Sequence, residues 1–330
     1  MAFDSRSMSD PNGVGRYARC LSRALRQTSR QSDELLETPR PTTALRARNA
    51  DVFHSPWMGG AMLHSPCPMV VTIHDLAVLK RRSERLRTNL RLRHLAVQRA
   101  VSVIVPTQAV AADAVAHLHL ERERVAVIPE APDESMYRRD PATVAAMRRR
   151  FELPEHYLIW VGGLQHPDPG KHIAKLAGAR RELPLVLVGP TRPWAHELPG
   201  VILTGQVSDE DLAAMYSGAH ALVIPSGDAG FGLSAVEALA CGTPVVACET
   251  PALREVLADR AKFVEPADMD ALVRTAEELH GPAPAPPVWS WQDAGRATWS
   301  VYAKAMASLG EARGGIRSAR RRPARGIEAQ

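Results

Sequence analysis

The feature that most constrains this chain is a series of short, almost wholly apolar segments set between stretches of helical periodicity. The segments are Met69–Ile73, Val101–Val105, Val125–Ile128, Tyr157–Val161, Leu185–Val188, Val201–Leu203, Ala221–Ile224 and Pro244–Ala247. A strand with one wet face alternates polar and apolar residues. A strand covered on both faces does not, and strands of a parallel sheet read this way. Between the segments lie helical stretches such as Gly15–Gln27, Ala142–Phe151, Asp209–Ser217 and Ser234–Cys241. Strand–helix alternation predicts βαβ units and an α/β fold of doubly wound parallel sheets. No internal repeat is present. Only Met1–Phe3 precede Asp4, so a short strand at the edge of the first sheet is expected.

At 330 residues the chain exceeds one ordinary α/β core and suits two domains. The polar stretch near 138–156 and the proline-rich Gly281–Pro287 are the breaks. They predict a first domain over 1–150, a second over 151–286, a helix over 287–312 that packs back on the first domain, and a basic, disordered tail over 313–330. That tail carries six arginines against Glu328, which accounts for all of the net +5. The basic balance therefore says little about the globular part, and no nucleic-acid partner is expected. No apolar run reaches the ~20 residues that span a bilayer. The N-terminus lacks the apolar core of a signal peptide, so a cytoplasmic protein is expected. The four cysteines are scattered and form no CxxC pair, so neither zinc nor a disulfide framework is indicated.

Chemistry concentrates in Asp228-Ala229-Gly230-Phe231-Gly232-Leu233-Ser234-Ala235-Val236-Glu237. A strand ends, a glycine loop follows, and a helix is predicted to start at Ser234. Free amides at a helix N-terminus attract anions, phosphates above all. Gly230 and Gly232 let backbone approach a ligand. Glu237, one turn in, can accept hydrogen bonds from two sugar hydroxyls. Ser234-x-x-Glu237 is equally a capping box that needs no ligand. His74-Asp75 closes a strand at the carboxyl edge of a parallel sheet, where polar groups face the ligand crevice. Lys171 follows the turn Pro167-Asp168-Pro169-Gly170 and is a compact cation suited to a diphosphate. Gly205-Gln206-Val207 is a βα turn ahead of a helix capped by Ser208. Lys80–Arg99 holds eight cations, among them Arg81, Arg82 and Arg85, and one acid. It reads as a solvated charged face, or as a surface for an anionic acceptor or a peripheral membrane contact. His54, His64 and His74 do not have metal-ligand spacing on one element, and no metal is read there.

The segment A-G-F-G-L-S-A-V-E-A-L-A-C-G-T-P-V-V resembles the signature of family 4 of the retaining glycosyltransferases, E-G-F-G-L-P-x-x-E-A-x-A-x-G-x-P-V-V. Gly13-Val14-Gly15-Arg16-Tyr17 is similar to that family's first glycine-rich loop. Val70–Asp75 resembles its strand ending in histidine, Ile159–Leu164 with Lys171 the start of its donor domain, and Ser290–Tyr302 its terminal helix. The order holds over nearly the whole chain. The resemblance implies a GT-B architecture: two Rossmann-like domains facing a central cleft. It implies a metal-independent hexosyltransferase that uses a UDP- or GDP-type sugar as co-substrate, with no other cofactor, and retains anomeric configuration. His74, Lys171 and Asp228 would be catalytic. Gly13, Gly15, Gly163, Lys171, Gln206, Val207, Gly230, Phe231, Gly232, Leu233 and Glu237 would bind the donor. The acceptor hydroxyl is left open among a secondary metabolite such as an antibiotic precursor, an oligosaccharide and a lipid.

Two departures stand out. The family's first signature carboxylate falls on Ala229, with Asp228 one place earlier. The arginine that often precedes the phosphate-binding lysine is Gly170, leaving His166 or Arg192 as substitutes for its charge. The alternative function is therefore a catalytically impaired nucleotide-binding protein of the same fold. An oxidoreductase or epimerase lacks support, because no G-x-G-x-x-G follows a strand with an acid ~20 residues on.

Overall fold

Two six-stranded, all-parallel sheets account for the apolar segments. In the computed structural model, which describes residues 1–42, 45, 50–80 and 88–319, the first lobe contains strands β1 (Ala2–Asp4), β2 (Leu36–Thr38), β3 (Phe53–Ser55), β4 (Met69–Thr72), β5 (Ser102–Val105) and β6 (Val125–Val127) in the order β2-β1-β3-β4-β5-β6. The second contains β7 (Leu158–Val161), β8 (Leu185–Val188), β9 (Val201–Gly205), β10 (Ala221–Ile224), β11 (Val245–Cys248) and β12 (Lys262–Val264) in the order β12-β11-β10-β7-β8-β9. Both orders reverse direction once, beside β1 and beside β7. Such a switch point opens a crevice at the carboxyl ends of the strands.

The described helices of the first lobe are α1 (Gly13–Thr28), α2 (Ala77–Lys80), α3 (Thr88–Gln98) and α4 (Gln108–Leu118). The second lobe adds α5 (Pro141–Phe151), α6 (Ile173–Gly178), α7 (Asp209–Gly218), α8 (Leu233–Ala240), α9 (Pro251–Leu257) and α10 (Met269–Glu277). A terminal helix, α11, runs over Trp291–Ala319.

The continuous apolar strands divide by a period of two into two cores per sheet. In the second lobe, Leu158, Trp160, Leu185, Leu187, Ala221 and Val223 pack on one face. Ile159, Val186, Val188, Leu222 and Ile224 pack on the other. In the first lobe, Val71, Val103 and Val105 oppose Val70 and Ile104 in the same manner. The central strands β8 and β10 are buried throughout and apolar at every position, as strands covered on both faces read.

Several expectations need correction. The short first strand is not an edge. β1 lies between β2 and β3 with all three residues buried, so chain order does not match sheet order. β2, β3 and β12 are three residues each and too brief for a periodicity signal. Met136, Val144 and Met147 pack into the second lobe's core, so the chain has crossed between lobes well before residue 150. Helix α11 continues to Ala319 rather than stopping at 312. Its added residues include Arg313, Arg317 and Ala319, good helix formers, beside the Gly314-Gly315 pair. Residues 320–330 lie outside the described residues, as do Arg81, Arg82 and Arg85.

The chain returns to the first lobe at Trp289, which packs on cores of both lobes. Helix α11 then lies along α1. Trp291, Ala294, Val301 and Tyr302 join Tyr17, Leu21 and Leu25, and the Trp299 indole donates to the Leu25 carbonyl at 3.1 Å. Gly295 permits the close crossing, since a Cβ there would stand 3.0 Å from the Ala24 carbonyl oxygen. Beneath it a buried polar chain links helix to sheet. Tyr302 Oη lies 2.6 Å from His54 Nδ1, and His54 Nε2 lies 2.9 Å from Thr72 Oγ1. Tyr17 Oη lies 3.1 Å from the same Thr72 oxygen.

Candidate active site

The carboxyl edges of the two sheets face each other, and the loops leaving them touch. Gly230, after β10, meets the backbone that leaves β4. A Cβ on Gly230 would overlap the His74 carbonyl oxygen. The Thr107 hydroxyl donates to the Gly230 carbonyl at 3.1 Å. At the start of α4, the Gln108 and Ala109 amides donate to the two oxygens of Glu255 at 2.8 and 3.0 Å. A second-lobe carboxylate thus occupies a first-lobe helix N-terminus, where aligned peptide dipoles favour negative charge.

A cavity of about 250 Å³ lies between the lobes. The first lobe lines it with Asn12, Gly13, Arg16 and Arg19. The second contributes Gly162, Gly189, Gln206, Val207, Asp209, Leu233, Ser234 and Glu237. Three of these side chains carry a buried polar atom with no hydrogen-bond partner among the described residues: Asn12 Oδ1, Arg16 Nη1 and Glu237 Oε1. Such atoms are uncommon in a folded protein, and each costs about 1–3 kcal/mol unless a ligand or water satisfies it.

Glu237 is held from both lobes. Arg16 Nε lies 3.2 Å from Oε1, and the Tyr216 hydroxyl donates to Oε2 at 3.4 Å. Arg16 also binds Asp209 Oδ1 through Nη2 at 2.5 Å. Burial pushes the Glu237 carboxyl up, to about 7, against the pull of the Arg16 guanidinium. Burial works against the charge on Arg16 too, but Glu237 and Asp209 outweigh it and raise its pKa. The capping box does not form. Helix α8 begins at Leu233 with Gly232 as N-cap and no side-chain cap, and Glu237 turns outward to Arg16. Gly232 has φ +86°, a left-handed conformation that a side chain would strain.

The structure separates the expected site residues into groups. Gly13, Gln206, Val207, Leu233 and Glu237 line the one cavity. Gly163 stands beside it, since a Cβ there would approach Asn12 Cγ to 2.9 Å. Lys171 Nζ donates to the Gly163 carbonyl at 3.3 Å. The Asp168 carboxylate accepts from Gly170 N at 2.9 Å, which fixes the turn that carries this lysine. Gly15 instead serves packing: it is buried, and a Cβ would meet the Ser7 carbonyl oxygen at 2.8 Å. Phe231 is a core residue with its ring 5.6 Å from Trp289. Neither His166 nor Arg192 lines the cavity.

His74 is not a free imidazole. Nδ1 lies 3.1 Å from Glu130 Oε1 and Nε2 lies 2.9 Å from the Pro56 carbonyl. Both partners are acceptors, so the arrangement favours the ring with both nitrogens protonated. Burial opposes that charge, but Glu130 and the carbonyl outweigh it and raise the pKa above its ordinary value. The Tyr17 ring packs edge-on at 4.5 Å. What His74 offers the opposite lobe is its backbone carbonyl. Asp228 lines a different interlobe cavity, of about 210 Å³, with Asp75, Asp113, Ala229 and Gly230. Asp228 and Glu237 therefore do not share a cavity.

The residues missed from sequence are Asn12, Arg16, Asp209 and Tyr216. Arg16 sits inside the glycine-rich loop already noticed. Asp209 is one of three acids in the first turn of α7 and reads as helix capping. Among the described residues no group of three or more His, Cys, Asp or Glu side chains could hold a metal ion. No described helix is long and apolar enough to cross a membrane.

Comparison with known proteins agrees with this geometry. Residues 30–135 match the family described as Glycosyltransferase Family 4, and residues 155–281 match Glycosyl transferases group 1. O-antigen chain mannosyltransferase B of Escherichia coli is 26% identical over 262 residues, covering 72% of this chain and 67% of that protein. MMP alpha-(1->4)-mannosyltransferase of Mycolicibacterium hassiacum is 30% identical over 231 residues, covering 63% of this chain and 55% of that protein. The crystal structure of HepE from Anabaena in complex with UDP and glucose superposes with a TM-score of 0.66 at 17% identity, over 96% of this chain and 99% of that one. With both lobes matched in order and two facing parallel sheets, the chain belongs to the group 1, family 4 glycosyltransferases and has their GT-B fold.

Proposed function

We propose that the chain transfers a hexosyl group from a nucleoside-diphosphate sugar to an acceptor hydroxyl, with the donor in the cavity between the lobes. The observation that carries this reading is the trio of buried polar atoms that lack a hydrogen bond among the described residues, on three side chains that line that cavity, Glu237 among them. Oε1 has lone pairs to spare for ribose hydroxyls. Gln206 and Val207, on the loop after β9, border the same space and suit the base. Gly13 and the amides that open α8 suit the diphosphate.

The acceptor hydroxyl attacks the anomeric carbon as the diphosphate oxygen departs. Negative charge gathers on that oxygen. Donors fixed in advance in a site closed to water stabilise it more than water does. The Gly13 backbone and the α8 N-terminus supply them at the cavity wall, and Lys171, held on the Gly163 carbonyl beside it, adds positive charge. The proposal includes retention of anomeric configuration, with no metal required. The named relatives transfer mannose, and the HepE structure holds UDP and glucose. UDP- and GDP-sugars are therefore the donors to try. Acceptors to pair with them are small glycosides, oligosaccharides and lipids that carry a free hydroxyl.

Glu237→Gln tests the reading. It keeps the shape and removes the charge. The variant is expected to retain the wild-type circular dichroism spectrum and to lose about tenfold or more in both UDP or GDP affinity and turnover, as loss of hydrogen bonds to a charged group implies. Equal affinity in variant and wild type would show that the nucleotide sits elsewhere. Proton NMR of the product reads the anomeric configuration directly.

A further inference from the structure

We infer that Arg16 is a donor-positioning residue that the first lobe lends to the second: it holds the Glu237 carboxylate ready for the ribose, so the ribose site is complete only with the lobes together. The inference rests on the donor-site reading above. Arg16 occupies the first turn of α1 and crosses the cleft. Its side chain is 14% exposed, and that of Glu237 is 3% exposed. Nη2 is anchored on Asp209 and Nε faces Glu237, while Nη1 is buried without a hydrogen-bond partner among the described residues.

A purely structural ion pair at this depth would satisfy its own atoms. This one does not. Arg16 Nη1 lacks a hydrogen-bond partner among the described residues, Glu237 Oε1 has the 3.2 Å ion-pair contact with Arg16 Nε but no hydrogen bond there, and both residues line the same cavity. The pair therefore leaves hydrogen-bonding capacity unused in residues that border the cavity.

Charge explains why an arginine is needed. The groups that face Glu237 are the Tyr216 hydroxyl and Asp209 from the two ends of α7, Asp133 from the first lobe and Cys241 at the C-cap of its own helix. Arg16 is the cation among these described neighbours. Remove it, and a buried carboxyl beside two acids takes up a proton. A protonated carboxyl cannot accept from two hydroxyls at once as the carboxylate can.

Calorimetric titration with UDP and with GDP between pH 6 and 9 tests this. The set is wild type, Arg16→Met, Arg16→Lys, Glu237→Gln and the Arg16→Met/Glu237→Gln double variant. Arg16→Met is expected to weaken the bound nucleotide by about tenfold or more at pH 7, a loss equal to one pKa unit or more. The loss shrinks toward pH 9 as Glu237 ionises unaided. Arg16→Lys restores part of the affinity, and Arg16→Met adds less than about twofold once Glu237→Gln is present. A loss equal at every pH, or one that adds fully to Glu237→Gln, or none at all, overturns the assignment. Should Arg16→Met not fold, Arg16→Gln carries the same expectation, because it keeps polar reach without charge. Wild type that binds neither nucleotide refutes the donor-site reading itself, and the role of Arg16 falls with it.

Discussion

Gly230→Ala is expected to hold the lobes apart without unfolding either. Gly230 is not among the positive-φ residues, so alanine fits its backbone and the cost falls on the interface. The new methyl carbon would overlap the His74 carbonyl oxygen, stand 2.8 Å from the His74 carbonyl carbon and 3.1 Å from Asp75 Cβ. Carbon atoms pack at about 3.5–4.0 Å, so this contact must open by roughly 1 Å. Overpacking of this kind costs about 1–3 kcal/mol. The bond from Thr107 to the Gly230 carbonyl is lost with it, adding about 1 kcal/mol. The total, about 2–4 kcal/mol, corresponds to a loss of about 30- to 1,000-fold in the closed-to-open equilibrium constant. Donor turnover should fall by more than about threefold, and by up to the full factor where the open state comes to dominate. Small-angle scattering with saturating nucleotide should show a larger radius of gyration than wild type, while the melting temperature stays put. Turnover within about threefold of wild type, combined with an unchanged scattering profile, would refute the argument that this backbone contact sets closure.

Two other outcomes follow from the same structure. Burial of His54 between Tyr302 and Thr72 lowers its pKa to about 3, against about 6.5 in an unfolded chain. The unfolded state therefore binds more protons, and stability is full above pH 6.5 and lost as pH falls toward 3. At pH 4.5 the loss is about 3 kcal/mol from this group. Thermal melts of wild type and His54→Gln should show a shallower acid slope in the variant, and parallel slopes would count against a neutral buried ring. Transfer should persist after dialysis against EDTA, since the proposed charge stabilisation comes from Lys171 and backbone amides. Activity lost to the chelator and restored by magnesium or manganese would contradict it.

Most of the fold is legible because its signal is local. A segment such as Leu185–Val188 is apolar at every position only if both faces are covered, and β8 is buried throughout. The same logic fails for Ala2–Asp4, where three residues give no period and Asp4 reads as polar. In the fold, Asp4 is buried and receives the Arg6 guanidinium at 2.6 and 2.8 Å. Ala142–Phe151 is rich in arginine and reads as a polar connector between the lobes. Val144 and Met147 are nevertheless enough to seat that helix on the second sheet.

The site divides along a different line. A motif states which chemistry a residue can do and leaves open what it will touch. Phe231 and Gly15 sit within glycine-rich segments, yet one fills the core and the other lets α1 rest on the turn before it. His74 ends the strand where a ligand would meet it, and its imidazole is already spoken for by Glu130 and Pro56. Arg16 and Asp209 are 193 positions apart, and no local pattern links them. Their contact exists because the crevice-forming ends of two separately folded sheets meet. The same reasoning applies to Glu255, which reaches amides 146 and 147 positions away. Local sequence can specify each half of such a contact, an arginine in a first helical turn or an acid on a surface helix. Only the docking of one lobe on the other makes them partners, and function in a two-lobed fold therefore depends most on the residues whose sequence context looks most ordinary.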